Sequence, residues 1–437
     1  MRKLFGTDGI RGIANEYPLT VDFCPHLAGA LALKFCSSVE KKHSVIIGKD
    51  TRISGDMLEH SLAAAFCAEG IDIALLGVVP TPAVSILTRE LDASVGIMIT
   101  ASHNPFNDNG IKLFNGSGSK LSDGEEAELE EIIAANSRPH KTMTFNFGRV
   151  EYIPSSLNIY STKIKNALNF KGDCKIVVDC ANGSFSAIAP DLLRKFGFEV
   201  ISIHDSPNGV NINENCGAAN PHALRKAVLH YGVDLGIAFD GDGDRVVLAD
   251  ECGNLLDGDH ILAILVQSWL SKEVVSTIMS NLGLEKYLAS IGVKLHRSAV
   301  GDRYISEYMQ NNDVQLGAEP SGHVIVKSHA PTGDGLFAAL KVLEYLVKSG
   351  KTCSQLRFFT PYPTVSKNLR VSDKSILQNP VVWRVIQNFE KRLDGRGRLV
   401  VRPSGTEPVI RIWAEGENAT ELEQMVNELS LTISDSI

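Results

Sequence analysis

Asp240, Asp242 and Asp244 stand at alternate positions of the run DGDGD. An extended or gently turning loop can therefore aim all three carboxylates at one hard divalent cation. Magnesium suits three protein oxygens because it keeps room for water and a phosphoryl oxygen. With Glu251, the same aspartates also match positions 1, 3, 5 and 12 of a calcium-binding loop. Arg245 occupies the place where that loop needs glycine, however, and strand-like runs lie on both sides, so a magnesium loop is the expectation.

Ser102 follows the apolar run ASVGIMIT after a single alanine in the string ITASHNPFNDNGIKLF. Taken alone, a plain turn or helix-cap serine is an equal reading. No GxSxG string is present, which disfavours a Ser-His-Asp hydrolase. Beside a three-carboxylate metal site, a phosphoserine would bring a charge of about −1.5 to −2 and three oxygens, so Ser102 would complete the metal's coordination. His103 and Lys112 would then shuttle the proton of an attacking hydroxyl.

RPSGTEPVIR offers Arg402, Ser404, Gly405, Thr406 and Arg411, two cations and two hydroxyls around a glycine turn, as a phosphate clamp. A simple Pro/Gly turn is the plainer alternative. Arg11, in FGTDGIRG, is a weaker signal of the same kind. Glu319, Ser321 and His323 in EPSGH put an acid, a hydroxyl and an imidazole within reach of sugar hydroxyls, although His323 alone reads as a strand-end histidine.

The elements that must position these loops form three imperfect copies of one unit, each reading strand, helix, Gly-led strand and third strand. The first copy is SVIIGKD (44–50), a helix through Phe66, GIDIALLG (70–77) and ASVGIMIT (93–100). The second is CKIVVDC (174–180), a helix near 187–195, GFEVISI (197–203) and DLGIAF (234–239). The third is STIMSNLG (276–283), a helix at 284–291, GVKLHRS (292–298) and VQLGAE (314–319). Short Val/Ile-rich runs between helices are what strands buried on both faces of a parallel sheet look like. Because ligands of open α/β sheets bind beyond the carboxyl ends of strands, the three loops could share a cleft. The expected fold is three similar α/β domains with mixed, largely parallel sheets around a central cleft, at 1–152, 153–252 and 253–365, followed by a smaller α+β domain at 366–437.

Composition bounds the partners. At 437 residues the chain exceeds the roughly 250–300 that one core supports. A net charge of −8 without a basic tract speaks against nucleic acid, so any phosphate must be held by local arginines and backbone N–H groups. Asp8 and Arg11 break the apolar stretch a signal peptide needs, and no run approaches the roughly 20 apolar residues of a membrane span. The expectation is a cytoplasmic protein with a small-molecule sugar phosphate as partner, no nucleic acid and no membrane; a homodimer is compatible with the sequence. The eight scattered cysteines read as reduced thiols.

Taken together, the strings TASHNP, DGDGDR, EPSGH and RPSGTEP, in this order along essentially the whole chain, resemble the α-D-phosphohexomutase family. FGTDGIRG, VGDRY (300–304) and TGDG (332–335) make the resemblance strongest to its bacterial glucosamine-phosphate branch. The resemblance implies an enzyme that converts glucosamine 6-phosphate to glucosamine 1-phosphate through phosphoserine 102 and a hexosamine 1,6-bisphosphate, a step toward UDP-N-acetylglucosamine. It places Mg2+ on Ser102 and the three aspartates, Arg245 beside the metal, and His103 and Lys112 at the proton transfers. Glu319, Ser321 and His323 fall on the sugar, and the 402–411 loop on the non-reacting phosphate. Three positions depart from the family pattern: Ala318 and Pro320 in the sugar loop, which usually reads GEQSGH, and Lys49, where arginine is usual. A mutase of neutral hexose phosphates and a metal-dependent sugar phosphatase are the competing readings.

Overall fold

The computed structural model describes residues 4–6, 8–37, 43–135, 147–269, 271–371, 373–404 and 408–436. It divides into two compact units, 1–279 with 295–358, and 280–294 with 359–437.

The first unit carries three sheets. One contains β1 (Ile10–Ile13), β2 (Ser44–Lys49), β3 (Asp72–Val78), β4 (Val95–Ile99), β5 (Asp108–Asn115) and β6 (Val150–Tyr152), ordered β1-β5-β4-β2-β3-β6. The next contains β7 (Lys175–Asp179), β8 (Glu199–Ile203), β9 (Leu235–Phe239), β10 (Val246–Asp250) and β11 (Leu255–Leu256), ordered β11-β10-β9-β7-β8. The third contains β12 (Glu273–Thr277), β13 (Lys294–Ser298), β14 (Leu316–Ala318) and β15 (Val324–Val326), ordered β13-β12-β14-β15.

One plan recurs. The strand pairs β2 with β4, β7 with β9 and β12 with β14 run parallel, and the third strand of each trio then pairs antiparallel with β5, β10 or β15. The loops of Ser102, of the three aspartates and of Glu319–His323 lie at the same topological place, between that third strand and its antiparallel partner. Every residue of β4, β9 and β10 is buried, which is why these strands read as unbroken apolar runs rather than alternating ones. Helix Gly55–Ala68 buries Leu58, Leu62 and Phe66 in the same core as Val45, Ile47 and Ile97. Each such side chain contributes about 1.5–3 kcal/mol of hydrophobic stabilisation.

The third copy corrects an expectation. Its first strand is Glu273–Thr277, not STIMSNLG at 276–283. The Ile278 N–H still bonds to the Ser298 carbonyl, but the Asn281 side chain then accepts from the Gly283 N–H and caps helix Leu282–Ser290. An N-cap withdraws the backbone from the ladder although the apolar run continues. The eight cysteines are unpaired. Among the described residues, no helix is long and apolar enough to cross a membrane.

The second unit contains the antiparallel sheet of β16 (Thr364–Arg370), β17 (Gly397–Pro403) and β18 (Val409–Gly416), ordered β16-β18-β17. Helices Pro380–Leu393 and Ala419–Asp435 bury Val382, Ile386, Phe389, Met425 and Leu429 with Ile410 and Ile412 of β18. This is the small α+β segment the sequence suggested.

Candidate active site

Ser102 sits three residues past the end of β4 with φ +53°, a left-handed conformation that costs a non-glycine residue about 1–3 kcal/mol unless its surroundings enforce it. The enforcement is visible. The Thr100 hydroxyl accepts the Ser102 N–H at 2.9 Å and donates to Asp50 Oδ2 at 2.6 Å. The Ser102 carbonyl accepts from Asn213 Nδ2 at 2.9 Å and Arg52 Nη2 at 3.1 Å. Arg52, itself bonded to Asp50 through Nε at 2.9 Å, also donates to the carbonyls of Asn104 (2.7 Å), Asp108 (3.0 Å) and Pro105. One buried guanidinium thus ties the whole 102–108 loop together. Lysine has no planar fork to reach these acceptors, and each buried carbonyl left unsatisfied costs about 1–3 kcal/mol. Arg52→Lys is therefore expected to lower the melting temperature by several degrees and to reduce turnover, as thermal unfolding and an activity assay would record.

The Ser102 hydroxyl is buried and donates to Asp240 Oδ2 at 2.8 Å. His103 Nδ1 lies 3.4 Å from the Ser102 oxygen and 3.3 Å from Arg245 Nη1. A guanidinium can only donate, so this nitrogen is the acceptor. Burial, with the cations of Arg245 and Arg11, pushes the His103 imidazole down to about 4.

Asp240, Asp242 and Asp244 follow the end of β9. Their carboxylate oxygens gather within 4.8 Å of one another and are buried. A Cβ at Gly241 would lie 2.7 Å from the Ser102 carbonyl oxygen and 2.8 Å from Asn213 Nδ2, so glycine is what lets this loop approach the serine loop. Lys112, on β5, donates to Asp242 Oδ2 at 2.8 Å and Asp244 Oδ2 at 2.7 Å, and the Thr81 hydroxyl donates to Asp242 Oδ2 at 2.5 Å. The other oxygens, Asp242 Oδ1 and Asp244 Oδ1, are buried without a hydrogen-bond partner. Burial and repulsion from Asp244 and Asp242 raise the Asp240 carboxyl well above its ordinary range. Burial and the charges of Asp242, Asp244 and Asp8 act oppositely on Lys112, and the carboxylates prevail, holding it well above its own range. An all-oxygen donor set with two bare oxygens and mutual repulsion fits a hard divalent cation such as Mg2+.

The third loop is stitched to the second. Val246 N–H donates to the Gly322 carbonyl at 3.0 Å, and Arg245 and His323 form an antiparallel bridge. Glu319 accepts the Gly301 N–H at 3.1 Å and the Ser321 hydroxyl at 3.3 Å. His323 Nε2 stands 2.9 Å from the Gly333 nitrogen and 3.2 Å from Asp302 Oδ2, with Nδ1 3.7 Å from Asp244 Oδ2. Burial works against protonation, but Asp302 and Asp244 outweigh it and hold this imidazole above its ordinary value. Ala318 is buried in β14, and the Pro320 carbonyl accepts the Gly258 N–H at 3.3 Å. Lys49, the third departure, donates to Asp56 at 2.6 Å and to Glu59.

The structure therefore brings Ser102, His103, Lys112, Arg245, the three aspartates and His323 into one network, with Arg11 joined to it through Asp8. Arg52, Thr81, Asn213, Asp8 and Asp302 belong to it as well; Asp8 and Asp302 fall inside FGTDGIRG and VGDRY, but no role was assigned to any of the five. A second mixed cluster, Asp179, His204 and Cys216, is closed by its own backbone, since Asp179 accepts the N–H groups of Ala181 (3.0 Å) and Gly217 (2.9 Å) and faces His204 Nδ1 at 3.1 Å.

In the second unit, Arg402 and Arg411 are direct cross-strand partners in β17 and β18. Like charges placed opposite each other are destabilising. Burial and the neighbouring Arg411 lower the Arg402 pKa, and an anion between the two would relieve the repulsion. Ser404 is buried, with its N–H on the Val409 carbonyl at 2.9 Å and its own carbonyl accepting from Lys374. Gly405 and Thr406 lie outside the described residues.

Comparison with known proteins covers nearly the whole chain. Residues 2–140, 151–253 and 257–362 match, in turn, the phosphoglucomutase/phosphomannomutase alpha/beta/alpha domains I, II and III, and residues 367–431 match the C-terminal domain. The chain is 45% identical to the phosphoglucosamine mutase of Agrobacterium fabrum, covering 99% of this chain and 98% of that one. It is also 45% identical to the phosphoglucosamine mutase of Gluconacetobacter diazotrophicus, covering 98% and 97%. Among solved structures, a phosphoglucomutase/phosphomannomutase family protein from Burkholderia thailandensis superposes with TM-score 0.85 at 21% identity, covering 100% of this chain and 98% of that one. The N-acetylphosphoglucosamine mutase of Aspergillus fumigatus, in complex with GlcNAc-6P and magnesium, gives 0.70 at 18%, covering 99% and 96%. At these identities the structural matches speak to the fold.

Proposed function

We propose that this chain, which belongs to the α-D-phosphohexomutase family, converts glucosamine 6-phosphate to glucosamine 1-phosphate with Ser102 as phosphoryl carrier. The observation that carries the mechanism is the Ser102 hydroxyl bonded at 2.8 Å to Asp240, at the edge of a buried carboxylate triad. The choice of sugar rests on 45% identity over nearly the whole chain with enzymes named phosphoglucosamine mutase.

In this reading Asp240, Asp242 and Asp244, with the phosphorylated Ser102, would hold Mg2+. When bound, the ion neutralises charge on the transferring phosphoryl oxygens. The sugar's 1-hydroxyl attacks phosphorus as the bond to Ser102 Oγ breaks, giving a 1,6-bisphosphate and free serine. The sugar's 6-oxygen then leaves as the 6-phosphoryl group returns to Ser102. His103, beside Ser102, and Lys112, among the aspartates, move the hydroxyl and serine protons. Arg245 and Arg11 offset phosphoryl charge, while Glu319, Ser321 and His323 hold sugar hydroxyls. Arg402, Ser404, Gly405, Thr406 and Arg411 hold the phosphate that is not reacting. The bisphosphate must turn over between its two transfers, so one clamp serves both ends, and exclusion of water keeps the phosphoserine from hydrolysis.

We assign the four domains to 1–152, 153–252, 253–365 and 366–437, and the activity to the cytoplasm, on a small-molecule sugar phosphate in the synthesis of UDP-N-acetylglucosamine. A homodimer is compatible with this assignment.

A clamp that binds phosphate equally in ground and transition states contributes uniform binding. Arg402→Ala and Arg411→Ala are each expected to raise KM about 10- to 100-fold, the equivalent of one lost charge-assisted bond, with a smaller change in kcat. Initial-rate kinetics separates the two parameters. Pro320, which offers no side-chain amide to a sugar, favours a second reading as a mutase of neutral hexoses. A coupled assay comparing glucosamine 6-phosphate with glucose and mannose phosphates decides the matter: a large preference for a neutral hexose overturns the amino-sugar assignment.

A further inference from the structure

Six side chains close a ring in which three carboxylates alternate with two lysines and a histidine. Lys112 Nζ lies 3.0 Å from Asp8 Oδ2, and Asp8 Oδ1 lies 2.6 Å from Lys120 Nζ. Lys120 pairs with Asp302, whose Oδ2 is 3.2 Å from His323 Nε2. His323 Nδ1 is 3.7 Å from Asp244 Oδ2, and Asp244 returns to Lys112 at 2.7 Å. Every member is shielded from solvent, with Asp8, at 16% side-chain exposure, the most open. Asp8 precedes β1, Lys112 lies on β5 and Lys120 just after it, Asp244 is in the loop after β9, Asp302 opens the helix Asp302–Asn312 that precedes β14, and His323 lies between β14 and β15.

Lys112, Asp244 and His323 already have roles in the proposed mechanism, whereas Lys120 has none. Its place in the ring is to hold two carboxylates, one on each side. Without it, Asp8 would keep Arg11 (2.5 Å) and Lys112 on Oδ2 but lose the cation that fixes its second oxygen, and Asp302 would lose the cation that fixes it against His323. Simple attachment of the two segments does not account for it, because Arg303 makes that link separately: its Nη1 and Nη2 bond Glu126 at 2.8 and 2.6 Å, and Nη1 bonds Asp123 at 2.5 Å. Lys120 is held charged, since Asp302 and Asp8 outweigh the opposing effect of burial.

The geometry points to Lys120 as a positioning residue that aligns the proton-transfer lysine and the sugar-loop histidine through Asp8 and Asp302. This rests on the mutase reading above. Misplacing a reacting group by about 1 Å can cost 10²-fold, so Lys120→Met in the full-length, Mg2+-loaded protein is expected to lower kcat about 10- to 100-fold. KM for glucosamine 6-phosphate should rise by less than kcat falls, because Lys120 itself touches no substrate and His323 loses alignment but not its place. Lys120→Arg, which keeps a cation at the same place, should recover most of the loss.

Removing one partner from a buried pair strands the other charge, so if Lys120→Met does not fold, Lys120→Gln, which keeps a donor without the charge and leaves Asp8 and Asp302 intact, takes its place and is judged by the same criteria. A kcat within about threefold of the parent, a loss confined to KM, or a loss that Lys120→Arg does not recover overturns the proposal. If the parent protein itself leaves glucosamine 6-phosphate untouched, the sugar assignment fails instead. The same variants are then compared on glucose 1-phosphate and mannose 1-phosphate, because the ring surrounds the phosphoryl-transfer groups rather than the sugar's amino group.

Discussion

Ser102→Ala is expected to reduce mutase turnover by more than about 10⁴-fold, the scale of loss seen when a covalent nucleophile is removed. In the same sample, the intact mass should lose the component that is heavier by one phosphoryl group. No other residue can take over, because the position is defined by backbone as much as by chemistry. Ser102 is the residue held at φ +53° by Thr100, Asn213 and Arg52, with its hydroxyl on Asp240. The neighbouring hydroxyl, Thr100, is already committed to Asp50 at 2.6 Å. Folding should survive, since the lost donor faces a carboxylate cluster that Mg2+ can still neutralise. A parent-like release of inorganic phosphate in Ser102→Ala would point instead to direct hydrolysis at the metal and refute the carrier role.

The sequence showed the strand trio in each copy because strands such as β4 (VGIMI) and β9 (LGIAF), buried on both faces, must be written almost wholly in apolar residues and glycine. It also showed the loops, since DGDGD has alternating carboxylates whatever surrounds it. The boundary at β12 was lost because apolarity records burial and not ladder membership. Ile278 and Met279 extend the apolar run of Glu273–Thr277, while the event that ends the strand is the cap made by Asn281. The supporting shell was invisible for a different reason. Arg52, Asp8, Lys120 and Asp302 are spelled like any surface charge, even where Asp8 and Asp302 fall inside FGTDGIRG and VGDRY, and only the folded chain shows Arg52 3% and Asp302 7% exposed, Arg52 with partners in the serine loop some 50 positions on and Lys120 paired with Asp302 182 positions away. Buried charges need partners, but nothing in linear spacing says which. The Arg402–Arg411 pair was readable as two cations in one loop. That they sit exactly opposite each other in the ladder follows from the antiparallel register of β17 and β18.

Lys112→Met should separate the two tasks that this lysine performs. It is 1% exposed and donates to both Asp242 and Asp244, with Asp8 at 3.0 Å. Truncating its charge leaves these carboxylates buried without their cation, a loss that breaking a buried ion pair places at about 3–5 kcal/mol. In the presence of a chelator, the variant should therefore melt well below the parent. Added Mg2+ should restore much of the difference, because the ion supplies positive charge to the same oxygens and stabilises the state that binds it. Activity should not return with stability. A missing proton-transfer group costs about 10²–10⁴-fold in rate whatever the melting temperature. Thermal unfolding with and without Mg2+, run beside single-turnover transfer from phosphoserine 102, tests both halves. If Mg2+ rescued activity together with stability, Lys112 would be a counter-ion alone, and the proton transfers would fall to His103.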